Sequence, residues 1–309
     1  MLFLRTKSHP KSRIVTNIPI YASILGMLLF FSLFIRERKK NATVQTSITC
    51  PTEPQKVEPP KCVNRCLTQR GAYVSGFLET AQYLLATNDS LARVADGEFH
   101  LIFNHSLSFQ DARANLSLEL QSLLTTPIEH LSIGIQDYFS GCPRVRTSSA
   151  LWWSYGADDN RQYILKNAPL DRQYLAAQIT SVYTITLNTS CALLPQIYDT
   201  LRSIWRGRDL VILRGDNKQV YTYDVYDTAR SQKIYYAPKR NAWDSYEALK
   251  EMMLNEDKDK LFIIANGPSA GILVKELHLL GRRALDLGHL AKDYNDYRRG
   301  VSTYKFFTD

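Results

Sequence analysis

An α/β fold is what this sequence predicts: a parallel sheet with helices on both faces. Three observations predict it. Short apolar runs recur without polar alternation, namely LSIGI (131–135), DLVILRG (209–215), KIYYAP (233–238), KLFIIAN (260–266) and RALDLG (283–288). Stretches with helical spacing separate them near 190–205, 241–254 and 268–280. The order strand then helix repeats. A strand covered on both faces has no need of a polar side, so such runs joined by helices mean a parallel sheet between helical layers.

The elements before these runs follow in order. Residues 74–87 have helical spacing. SLARVADGEFHLI (90–102) reads as a short strand and then a turn, because Asp-Gly is a turn pair. Residues 109–124 are helical again, with Leu116, Leu118, Leu120, Leu123 and Leu124 as the apolar set. The segment 146–187, rich in Trp, Tyr and Arg, reads as an insertion over the sheet. Trp152, Trp153 and Tyr155 within it suit either core packing or stacking on a sugar. No internal repeat occurs.

Charge is uneven along the chain. The formal net charge is +8, and residues 1–40 hold eight basic side chains against Glu37. The rest of the chain is therefore nearly neutral, which excludes a general affinity for nucleic acid. The basic end brackets VTNIPIYASILGMLLFFSLFI (15–35), a run without charge. At about 1.5 Å per residue it spans a bilayer core of roughly 30 Å. It is too long for the apolar core of a cleaved signal peptide, and no small-residue cleavage site follows. The acceptor sequences at Asn41, Asn88, Asn104, Asn115 and Asn188 all lie after it, as do all five cysteines, Cys50, Cys62, Cys66, Cys142 and Cys191. Both features suit an oxidising, glycosylating compartment. The expected organisation is a cytosolic tail (1–14), a membrane-spanning helix (15–35), a Pro-rich stem (36–68) and a lumenal body (69–309). The stem carries Pro51, Pro54, Pro59 and Pro60, which favour extended, unpaired backbone.

In sheets of this kind ligands bind at the carboxyl ends of the strands. The residues expected there are Asp96 and Glu98, Arg214 and Asp216, 238–241, Gly267 to Ser269, and Asp286 with His289. Acidic groups, basic groups and helix starts together suit a metal-bound phosphorylated ligand. Asp96 and Glu98 stand two apart; in extended chain they project to one side and offer a partial shell for a hard divalent cation. A plain surface turn explains the same letters. His289 suits a metal ligand, a phosphate contact or a packed histidine. Arg93 suits a structural partner for Asp96 or Glu98.

GPSAG (267–271) spells the nucleophile elbow of serine hydrolases. Ser269, Asp286 and His289 even follow in the hydrolase order. Asp286 and His289, however, are three residues apart in one loop, where hydrolases draw those partners from separate loops, and no HGGG-like oxyanion segment occurs. Pro268 suits the first turn of a helix. The turn is then either a simple helix cap or a place where backbone N–H groups face a phosphate. Walker A and G-x-G-x-x-G patterns are absent from the sequence.

These pieces together resemble the GT-D fold glycosyltransferases, formerly a domain of unknown function. The matching segments are RVADGEFHLI (93–102), Phe109-Gln110, IWRGRDLVILRGD (204–216), APKRNAWDSYEAL (237–249), IIANGPSAGILVKEL (263–277) and ALDLGHLAKDYNDY (284–297). The resemblance implies a Rossmann-like transferase using a nucleotide sugar, typically a UDP-sugar, with a divalent metal, Mn²⁺ or Mg²⁺. Asp96 and Glu98 would hold the metal and diphosphate and, with His289, form the catalytic set. Arg93, Asn241, Gly267, Pro268, Ser269 and Asp286 would line the donor site. The acceptor would be a glycan or glycoprotein. Three departures stand out: Ala95 replaces a usual glycine, Asn266 a usual apolar residue, and NKQVYTYDVYD (217–227) a glycine-rich stretch. Ala95 and the 217–227 segment support the alternative of a catalytically inactive lumenal sugar-binding or scaffold protein of the same fold. The anchor, stem and acceptor sequences imply a type II protein of the Golgi or ER membrane.

Overall fold

A computed structural model describes residues 71–139, 147–185, 192–215 and 220–301, with the backbone alone at 147–156. The expected tail, membrane segment and stem lie outside the described residues. So do all five cysteines, the acceptors Asn41 and Asn188, and Asp216. No helix among the described residues is long and apolar enough to cross a membrane.

Among the described residues eight strands form one sheet. They are β1 (Tyr73–Val74), β2 (Ser90–Val94), β3 (Leu131–Ile135), β4 (Gln173–Ala176), β5 (Asp209–Gly215), β6 (Ser231–Ala237), β7 (Leu261–Ala265) and β8 (Ala284–Asp286). Their spatial order is β1-β4-β3-β2-β8-β7-β5-β6, and every pairing is parallel. The helices are α1 (Phe77–Ala86), α2 (Asp96–Ile102), α3 (Ala114–Thr125), α4 (Thr147–Asn167), α5 (Val182–Ile185), α6 (Leu194–Ile204), α7 (Tyr246–Leu254), α8 (Ala270–Leu279) and α9 (Leu290–Arg299).

The non-alternating runs behave as the pleat requires. Along β5, Leu210 and Ile212 enter one core while Val211 and Leu213 enter the other. Along β7, Leu261 and Ile263 divide from Phe262 and Ile264 in the same way. One core is closed by side chains of α2, α3, α7 and α8, the other by those of α1, α6 and α9. Both faces are therefore dry, which is why no strand in the centre needs a polar side.

Four expectations need correction. The segment 146–187 is no insertion over the sheet: β4 lies within it, pairs with β3 and carries β1. Its four residues, QYLA, sit beside Asp171 and Arg172 and are too short to stand out as an apolar run. The helix expected from Phe109 begins at Ala114, and Leu118 points outward, 64% exposed. The helix expected from 241 opens as a 3₁₀ turn, Ala242–Ser245. The turn expected at Asp96-Gly97 is the first turn of α2.

Candidate active site

A large cleft of about 1350 Å³ runs across the carboxyl ends of the strands. Arg93, Asp96, Glu98, Gly267, Pro268, Asp286 and His289 all line it, as do Arg214, Pro238 and Lys239. The sheet thus brings together residues from both halves of the body, as an open α/β sheet does where its strands end.

The Asp96–Glu98 pair differs from its expected geometry. Val94 ends β2 and Ala95 is the N-cap of α2, so Asp96 and Glu98 occupy helical positions N1 and N3. Positions two apart on a helix are about 200° apart around its axis, so the shared-side argument from extended chain does not hold. The reason is capping. Glu98 Oε2 reaches back to accept the Ala95 N–H at 2.8 Å, one half of a capping box. Asp96 is exposed, and its Oδ1 accepts from Gln136 Nε2 at 3.4 Å. Gln136 is held in turn: its Oε1 accepts from Tyr138 Oη at 2.6 Å, and Tyr138 Oη accepts from Asn160 Nδ2 at 3.1 Å. This buried chain orients Asp96 from below. Sequence reasoning missed Gln136, and nothing at the end of LSIGI marks it.

Burial pushes the Glu98 carboxyl up to about 7, with the charges of Asp286 and Asp96 adding to it and Arg93 and the Ala95 N–H opposing it. An acidic corner that resists full ionisation is one that a cation would relieve. Among the described residues there is no group of three or more His, Cys, Asp or Glu that could hold a metal. Mg²⁺ and similar cations are commonly held by one or two carboxylates, with substrate phosphates completing the shell. Asp96 and Glu98 carry hard oxygen donors of the kind such a cation takes, and both line the cleft.

Arg93 pairs with neither Asp96 nor Glu98. Its Nη2 meets Asp286 Oδ1 at 2.7 Å, Nε donates to the Asp286 carbonyl at 3.0 Å, and Nη1 donates to Ala177 O and Thr180 Oγ1, each at 3.2 Å. One guanidinium therefore ties the ends of β2 and β8 to the turn after β4. Burial opposes its charge, and Asp286 and Glu98 outweigh that. Gly288 makes room for it: a Cβ there would stand 2.4 Å from Arg93 Nη2. Asp286 is 3% exposed and committed to this pair.

His289 caps α9 and opens to the cleft. Partial burial, aided by the positive charges of Arg93 and Lys292, lowers its pKa, so the imidazole is neutral near pH 7. Asn241 does not line the cleft. It adopts a left-handed φ of 51° and clamps the 104–113 loop: its Oδ1 accepts the Asp111 N–H and its Nδ2 donates to Asp111 Oδ2, both at 2.8 Å. Gly267 also has positive φ, 83°, which a side chain would strain. Ser269 is fully buried, and its Oγ accepts from Asn266 Nδ2 at 3.0 Å. It faces no histidine and does not line the cleft, so the elbow spelling describes a strand-to-helix turn without a nucleophile.

A parallel sheet with helices on both faces carries, at its strand ends, a cleft lined by carboxylates, a guanidinium and the 267–268 turn. The chain matches the family described as Glycosyltransferase GT-D fold over residues 91–307 and belongs to it. It is 29% identical over 229 residues to the probable glycosyl transferase Gly of Streptococcus gordonii, covering 72% of this chain and 33% of that one. It is 26% identical over 232 residues to the glycosyltransferase GlyD of Streptococcus pneumoniae serotype 4, covering 74% and 28%. The chain thus spans about a third of the length of these relatives. A solved structure of the highly conserved domain of unknown function 1792, reported to have a distinct glycosyltransferase fold, aligns with TM-score 0.71 at 27% identity over 77% of this chain and 85% of that one. A glycosyltransferase of the same domain type from Streptococcus sanguinis aligns with TM-score 0.70 at 26% identity over 75% and 86%.

Proposed function

We propose that this protein transfers a sugar from a nucleotide sugar, UDP-linked in the first instance, to a hydroxyl of a glycan or glycoprotein, with Mn²⁺ or Mg²⁺ at Asp96 and Glu98. The observation that carries this reading is the convergence, in a chain of this family, of Asp96, Glu98, Arg93–Asp286, His289 and the 267–268 turn on one cleft. A bound divalent cation supplies positive charge to the departing diphosphate. The cleft exceeds the roughly 300–1000 Å³ of a pocket for one small ligand, which leaves room for donor and acceptor together.

The chain's own residues have separable tasks. Gln136 orients Asp96, and Arg93 fixes the floor by joining three strand ends. Lys239 and Arg214 line the cleft and add positive charge for phosphate oxygens. His289, neutral, can donate one hydrogen bond to such an oxygen. In the transfer a bond forms between the acceptor oxygen and the anomeric carbon while the bond to the diphosphate breaks, and the acceptor proton must go to a base. Asp286, committed to Arg93, and Glu98, assigned to the cation, are not that base.

We also infer a type II anchor in a Golgi or ER membrane, from the 15–35 segment and the acceptor sequences after it. The three described acceptors, Asn88, Asn104 and Asn115, are all exposed, which supports the reading. The test of function is a screen of nucleotide sugars for hydrolysis by the full chain with Mn²⁺. One donor should be cleaved well above the others, and cleavage should stop in Asp96→Ala. No cleavage of any donor removes the transferase assignment.

A further inference from the structure

Asn266 directly follows β7 and lines the cleft, yet it is only 4% exposed. Its Nδ2 is turned to Ser269 Oγ at 3.0 Å, so the amide is oriented from within the turn. Its Oδ1, the other branch of that amide, has no hydrogen-bond partner among the described residues. Buried acceptors without a donor are rare and weaken the fold that carries them. One placed at the wall of a ligand cleft is satisfied when the ligand brings the donor.

The chemistry of an amide oxygen narrows what that ligand group is. It only accepts. A diphosphate oxygen near neutral pH only accepts as well, so the two repel. Although α8 starts a few residues on, the diphosphate does not sit against this atom. What fits is a group carrying a proton: a hydroxyl of ribose or sugar, or the imide N–H of a uracil base. Beside it lies a surface for a ring. Phe109 lines the same cleft and is 44% exposed. It packs over the turn, since a Cβ added at Gly267 would stand 3.7 Å from Phe109 Cε2. The Phe109 carbonyl is held by the Asn241 N–H at 2.9 Å. Aromatic faces held in this way take the flat face of a base or the apolar face of a sugar.

We propose that Asn266 is a specificity-determining residue of the donor site, whose Oδ1 accepts a hydrogen bond from a hydroxyl or imide group of the nucleotide sugar. This rests on the nucleotide-sugar reading above and assigns a direction to the donor: the diphosphate lies off Asn266, and the proton-bearing end lies on it.

The test is calorimetric titration of the full chain with UDP, UDP-glucose and inorganic pyrophosphate, each with Mn²⁺, in the wild type and in Asn266→Leu. Asn266→Ala, which removes the oxygen without added bulk, is measured beside it. Both variants should bind UDP-glucose about tenfold more weakly, the effect of one lost hydrogen bond in a desolvated site. Pyrophosphate affinity should stay within about twofold. An equal loss for UDP assigns the donor group to the nucleoside; a loss for UDP-glucose alone assigns it to the sugar. Unchanged affinities, or an equal loss for pyrophosphate, overturns the proposal. If the wild type binds neither UDP nor UDP-glucose, the donor reading itself falls, a result distinct from any of these.

Discussion

Arg93 and Asp286 hold the floor of the cleft, and their coupling can be measured. The side chains are 15% and 4% exposed and meet at 2.7 Å. Removing one partner of a buried ion pair leaves the other charge without compensation and costs about 3–5 kcal/mol. In Asp286→Leu the guanidinium keeps its bonds to Ala177 O and Thr180 Oγ1, which puts the cost at the lower end, about 3 kcal/mol. In Arg93→Met the carboxylate keeps only the Gly288 N–H, at 3.3 Å, so the cost is higher, about 4 kcal/mol. The double variant replaces charge by apolar surface on both sides and should recover at least about 2 kcal/mol of the summed loss. Urea denaturation at pH 7.5, with EDTA present, reads all four species. Losses below about 1 kcal/mol in either single variant, or additivity within about 0.5 kcal/mol, would show that this pair does not organise the strand ends.

Three further outcomes follow from the same geometry. Glu98 keeps its proton up to about pH 7 in the folded protein against an ordinary 4.5, so the folded state binds more protons between those values and loses stability as pH rises through that window. Glu98→Gln should therefore match the wild type near pH 4.5 and exceed it above pH 7.5 by up to about 3 kcal/mol; a Tm difference that is flat with pH refutes this. Asn241→Ala loses the Asp111 clamp and strains a left-handed backbone. It should cost about 2 kcal/mol and speed proteolysis within 104–113, whereas Asn241→Gly relieves the strain and costs less. Finally, a fluorophosphonate probe should leave Ser269 unlabelled, as a fully buried hydroxyl with no base requires; peptide mapping that finds the adduct there would restore the hydrolase reading.

The central strands were legible because both their faces are covered, and a run such as LVIL (210–213) records that directly. β4 and β1 were not, since four and two residues carry too little pattern. The start of α2 was misread because Asp-Gly favours a turn in isolation. What overrides it is the Glu98 carboxylate closing on the Ala95 N–H, a bond visible only once the helix exists. Within the site, Asp96, Glu98, Asp286, His289 and the 267–268 turn could be named from strand-end position. Their partners could not. Arg93 finds Asp286 across 193 residues and Asn241 finds Asp111 across 130, and nothing local to either residue encodes that choice. Asn266 showed itself in the sequence only as a departure from an apolar residue; its unpaired oxygen gives the departure a physical meaning.

The central claim is that a cation at Asp96 and Glu98 grips a nucleotide diphosphate in this cleft. Its most direct test is the affinity for UDP with and without Mn²⁺, in the wild type and in Asp96→Ala. Mn²⁺ should tighten UDP binding to the wild type by at least about tenfold and leave Asp96→Ala unchanged, with the two proteins melting at nearly the same temperature. A wild-type affinity indifferent to Mn²⁺, or an Asp96→Ala protein that keeps the full effect of the metal, would contradict the account.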